Sequence, residues 1–150
     1  MSAWRNLMNK DLPILQVCFV AWFVAQVLKT VLHAFRHRQL DLRRLVGAGG
    51  MPSSHSALVC SLSTAVALKE GIDSTLFAIS VVLSLIVMYD AAGVRRAAGR
   101  QARILNQMVV DFYQNRELHP ERLKELLGHT PYEVLAGALL GIAIPLLYAR

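Results

Sequence analysis

Two histidines are set among residues suited to phosphate chemistry. His55 lies in Gly49-Gly50-Met51-Pro52-Ser53-Ser54-His55-Ser56, a turn leading into an apolar run, and His129 is followed four residues on by Glu133. Lys29 and Arg36 precede the first histidine, and Arg95, Arg96 and Arg100 fall between the two. Transfer of a phosphoryl group needs cationic donors on the non-bridging oxygens, a nucleophile in line and an acid for the leaving alkoxide. Histidine can be nucleophile or acid, because its pKa lies near working pH. A carboxylate one helical turn from His129 would fix the imidazole tautomer and leave the other ring nitrogen to attack. At a helix start, the Ser53-Ser54-His55 turn adds hydroxyls, unpaired N–H groups and the positive end of the macrodipole.

Each feature also has a plain structural use. Ser53 or Ser54 can be an ordinary N-cap with His55 an exposed loop residue. Thr130-Pro131-Tyr132-Glu133 matches a capping box. Spacing alone favours the cap as the role of Glu133, and a cap and a histidine-orienting group are compatible.

The elements that position these residues are apolar helices. Over 150 residues the apolar fraction is 55% and the charged fraction 17%, with mean hydropathy +0.42. That predicts one membrane-embedded domain rather than a soluble one: an all-α integral membrane bundle of about four transmembrane helices plus an amphipathic helical insertion. The net charge of +6 is interleaved with apolar blocks, which fits anionic lipid headgroups better than nucleic acid. Cys18 and Cys60 lie inside apolar runs, without metal or disulfide spacing. No small-residue cleavage site follows the first apolar run, so no removable signal peptide is expected.

The first span covers residues 12–28 and extends to 32 if Lys29 snorkels; residues 33–55 are polar and basic. Residues 57–68 are short and rich in Ser and Ala, which suits a helix packed among helices. Gly71 is a C-cap candidate and Asp73 an N-cap for the third span, 74–89. A small-residue stretch with arginines follows over 90–100, then an amphipathic segment, 101–117, and a charged helix-turn, 117–127. The last span runs from 131 to about 148, and its Gly137 and Gly141 form a G-x-x-x-G face for close packing, a candidate homodimer contact.

Four crossings put twelve of the sixteen basic residues in segments 29–55 and 90–130. The excess of positive charge assigns that face to the cytoplasm, in a bacterial inner membrane. Lys29, Arg36, Ser53, Ser54, His55, the arginine cluster and His129 all fall on it. His33, His37 and His119 are read as interfacial or solvated, and Arg38, Arg43 and Arg44 as headgroup or topology charges.

Here the residues resemble a family. Pro52-Ser53-Ser54-His55 is similar to the P-S-G-H motif of type 2 phosphatidic acid phosphatases, related to bacterial acid phosphatases and vanadium haloperoxidases. Lys29 and Arg36 reproduce the spacing of that superfamily's first motif. Residues 128–137 resemble its third, where histidine is followed four residues later by aspartate and then V-x-A-G. The whole pattern is most similar to the small, divergent branch, in which 51–57 and 89–96 are signature-like strings. The resemblance implies that His129 is a nucleophile forming a phosphohistidine, oriented by Glu133, and that His55 protonates the leaving group. It implies phosphate binding by Lys29, Arg36, an arginine of the third motif, Ser53 and backbone near Ser54, with no metal and no cofactor. The match departs from the family where His37 replaces proline, Ser54 glycine and Glu133 aspartate. The third-motif arginine position is Leu123, so Arg95, Arg96 or Arg100 would supply that charge if 101–127 is an insertion.

The expectation is a metal-independent phosphatase acting on a lipid phosphomonoester, with phosphatidylglycerophosphate and phosphatidic acid as candidates. The alternative is a non-catalytic anionic-lipid binder or accessory membrane protein.

Overall fold

The computed structural model describes residues 11–38, 50–113 and 128–149, all helix and connecting turn. After Pro13, helix α1 (Ile14–His37) runs 24 residues. Its length of about 36 Å exceeds the ~30 Å hydrocarbon core, so it continues past the apolar run and takes in His33, Arg36 and His37. Its two faces explain the fold. Val17, Ala21, Ala25, Gln26, Lys29 and Thr30 are buried, whereas Leu15, Phe19, Phe23 and Phe35 are more than half exposed. Exposing a large apolar side chain to water costs about 1.5–3 kcal/mol. A bundle that turns its greasy face outward is therefore built for lipid.

Helix α2 (Ser54–Glu70) is the central helix, packed against α1 and against two helices that follow, α3 (Thr75–Ala92) and α5 (Pro131–Tyr148). Small residues let backbones approach: Ser54, Ser56, Ala57, Cys60, Ser61, Ser63, Ala65 and Ala67 are all buried. The hydroxyl of Ser63 is satisfied locally. Ser63 Oγ donates to Val59 O at 3.2 Å and shares a 2.8 Å bond with Ser84 Oγ of α3, which itself reaches Val59 O at 2.8 Å.

The predicted cap at Gly71 is present: φ is +91°, a conformation few L residues adopt, and its N–H bonds Ala67 O. The cap of the next helix is Ser74, not Asp73; its side chain accepts from Phe77 N at 3.2 Å. Position decides this, because Ser74 is the residue directly preceding the first helical turn.

Beyond Gly93 the chain enters α4 (Val94–Tyr113), a single 20-residue helix. The arginine-bearing stretch and the amphipathic stripe, read separately from sequence, are thus one element. It packs against α3 alone among the described elements, with Ile104, Leu105 and Met108 exposed. The charged segment 117–127 lies outside the described residues.

Helix α5 buries Val134, Gly137, Gly141 and Pro145, a narrow stripe of mostly small residues. A Cβ on Gly137 would strike the carbonyl of Ser53, and one on Gly141 that of Ala57. The G-x-x-x-G face is therefore used within the chain, against α2. Among the described residues, three stretches are long and apolar enough to cross a membrane: Ile14–Phe35, the α3–α4 stretch within Thr75–Val110, and Pro131–Tyr148. The central α2, at 17 residues and rich in serine, faces helices rather than lipid and does not need their apolarity.

The ends of the bundle differ. At one, Leu12, just before α1, and Val17 of α1 pack with Ala65 and Leu68 of α2 and with Ile144 and Leu146 of α5. At the other lie the C-terminal half of α1, the starts of α2 and α5 and the end of α3.

Candidate active site

The polar end is built from the caps of two parallel helices. Ser53 is the N-cap of α2, and its Oγ accepts from Ser56 N at 3.4 Å and from Ser56 Oγ at 3.0 Å. Its own N–H donates to Glu133 O at 2.9 Å, which ties the first turn of α2 to the first turn of α5. Both helix N-termini therefore point toward one region, each with the partial positive charge of its unpaired N–H groups. Ser53, Ser54 and Ser56 are buried, and His55, in the first turn of α2, is half-buried.

His129 sits just before α5 and is 3% exposed. Its N–H donates to Ala91 O at 3.1 Å, so the end of α3 holds its backbone. Its Nδ1 lies 3.2 Å from Glu133 Oε2, and the same oxygen accepts from Thr130 N at 2.9 Å. Thr130 Oγ1 in turn accepts from Glu133 N at 3.4 Å, completing the capping box. One carboxylate thus bonds both the cap N–H and the imidazole. The glutamate in place of aspartate reaches back to the cap N–H and across to the imidazole. A carboxylate at Nδ1 selects the tautomer with its proton there and leaves Nε2 with the lone pair.

Lys29 is 2% exposed, and its Nζ donates to Gln26 Oε1 at 2.7 Å. It does not snorkel. The ammonium is held inside the bundle by a neutral amide, itself buried, on the preceding turn of α1. His33, one turn further along α1, is half-buried with Nδ1 shielded from solvent.

Not every predicted residue is placed at this site. The backbone of Arg36 is in the last turn of α1 and that of Arg95 and Arg96 in the first turn of α4; their side chains lie outside what the structure describes. Arg100 is exposed on α4, and no contact joins it to the His129–Glu133 pair. Among the described residues, no group of three or more His, Cys, Asp or Glu side chains gathers as a metal site would require.

Sequence reasoning missed three participants. Gln26 was readable as a polar residue three positions before Lys29 inside an apolar span, which is helix-neighbour spacing. Ser56 had only its place in the serine turn. The Ala91 carbonyl had no sequence signal, because a backbone acceptor is chosen by packing.

Known proteins bear on this arrangement. A family profile described as "Divergent PAP2 family" matches residues 10–144. The chain is also similar to the "Uncharacterized membrane protein YuiD" of Bacillus subtilis (strain 168), with 44% identity over 152 residues covering 93% of this chain and 94% of that protein. No solved structure matches. Matched over nearly its whole length, with both histidine motifs inside the match, the chain belongs to the Divergent PAP2 family.

Proposed function

We propose that this protein is a membrane phosphatase that hydrolyses a lipid phosphomonoester through a phosphohistidine. The observation that carries the reading is His129: buried, with Nδ1 bonded to Glu133, at the bundle end that holds the Ser53–His55 turn and the buried Lys29. With Nδ1 engaged, Nε2 attacks phosphorus, and the bond between phosphorus and the lipid oxygen breaks. That oxygen leaves with a proton from His55. Water then attacks the phosphohistidine and gives its proton to His55, releasing inorganic phosphate and restoring His129. Lys29 and the N–H groups at the start of α2 take up charge on the non-bridging oxygens; Arg36 and an arginine of α4 complete the set.

The site faces the cytoplasm on the charge count, which favours a lipid phosphate made on that leaflet, phosphatidylglycerophosphate before phosphatidic acid. The test is phosphate release from a panel of lipid phosphates by detergent-purified protein with chelator present. Turnover in the wild type and none in His129→Ala is the expected result. Absence of turnover, or turnover unchanged in His129→Ala, refutes the reading and leaves an anionic-lipid binder.

A further inference from the structure

A second feature lies on three of the helices that build the site. Between α2, α3 and α5 is a cavity of about 390 Å³, walled by Cys60 and Ala67 of α2, Phe77, Leu85 and Met88 of α3, and Ile142 of α5. Its volume falls in the range of ligand pockets. The hydroxyls in its wall face away from any ligand. Ser63 and Ser84 bond each other and Val59 O, and Thr64 donates to Cys60 O at 2.8 Å. The surface left to an occupant is therefore apolar.

Its placement says what that occupant is. The upper rim, Met88, is three residues before Ala91, whose carbonyl holds His129, a rise of about 4.5 Å. From Met88 to Phe77 the cavity descends along α3 by roughly 16 Å, close to the ~15 Å that one leaflet contributes to a ~30 Å hydrocarbon core. Leu85 and Ile142 at its edge are exposed on the lipid-facing surface, so the cavity opens sideways between α3 and α5.

We infer that this cavity is a slot for one acyl chain of the lipid whose phosphate lies at His129. The inference takes its headgroup from the phosphatase reading, while the slot rests on its own geometry. Holding a chain there fixes the depth of the headgroup, so the slot selects substrates that carry a long acyl tail.

The test uses phosphatidic acid with a diazirine in one acyl chain, photolysed with the detergent-purified protein. Label is expected on the slot residues of α2 and α3, and excess unlabelled phosphatidic acid should compete it at least fivefold better than diacylglycerol. Ala67→Phe, and Leu85→Phe at the more tolerant mouth, should reduce slot labelling at least fivefold and leave label on the outer residues Ile79 and Leu139 unchanged. In turnover, both variants should raise KM for long-chain lipid phosphate and spare a short-chain one. Label confined to outward-facing residues, or equal competition by diacylglycerol, overturns the slot. Slot labelling in a protein that hydrolyses no lipid phosphate supports the slot and removes the phosphatase reading.

Discussion

Replacing Glu133 by Gln separates its two tasks. Gln can still accept the Thr130 N–H, now 2.9 Å from Oε2, because glutamine serves in capping boxes. What it loses is the negative charge 3.2 Å from His129 Nδ1. That charge matters most when the ring becomes cationic on attacking phosphorus. Hydrogen bonds to charged groups contribute about 1.5–3 kcal/mol, against about 0.5–1.5 for neutral ones. Exchanging the charged bond for a neutral one removes the difference, about 1–1.5 kcal/mol, and predicts a fall in kcat of roughly 5- to 13-fold. KM should change little, since the ground state is nearly untouched. Thr130→Ala is the matched control. It removes the cap at a cost of about 1 kcal/mol in helix stability but leaves the imidazole pair intact, so kcat should stay within about twofold of wild type, below the roughly 5-fold floor for Glu133→Gln. The assay is phosphate release from a lipid phosphate, with thermal unfolding in detergent alongside. A Glu133→Gln variant that keeps full kcat, or a Thr130→Ala variant that loses as much, would refute an orienting role and leave only the cap.

His55→Ala should slow release of a lipid alkoxide far more than release of p-nitrophenolate, which leaves without a proton; equal slowing would remove His55 as the acid. Lys29→Met should fold and lose turnover, whereas Gln26→Leu, which leaves the ammonium without its 2.7 Å acceptor, should chiefly lower thermal stability by about 1–3 kcal/mol. Gly137→Ala drives a methyl into the Ser53 carbonyl and should cost about 1–3 kcal/mol by overpacking, measured by thermal unfolding. Gly71→Ala meets no neighbouring atom, so its cost should come from the positive φ alone, again read from thermal unfolding.

The legible parts of the sequence were those where composition answers to solvent. Apolar runs of near-membrane length fixed α1, α3 and α5, and the serine- and alanine-rich run identified α2 as the helix that faces other helices. Gly71 and the Thr130–Glu133 box were readable because caps are local chemistry. The ends were less so. Lys29 has the look of a snorkelling residue at a span's end, yet α1 continues to His37 and turns Lys29 inward to Gln26, a choice made by the face α1 presents to its neighbours. The break between 90–100 and 101–117 disappeared because helix propagation from Gly93 meets no proline before Tyr113, and the single Gly99 is tolerated.

Local residue chemistry alone determined that this chain lives in a bilayer, that one helix begins beside His55 and another just after His129, and that Glu133 lies one turn from the second histidine. Tertiary structure decided that those two helix starts are neighbours, through Ser53 N–H on Glu133 O, and that α3 supplies the carbonyl beneath His129. The physical reason is range. Caps and hydropathy act within a few residues, whereas joining two turns some eighty residues apart depends on Gly137 and Gly141 letting α5 lie against α2 at backbone contact.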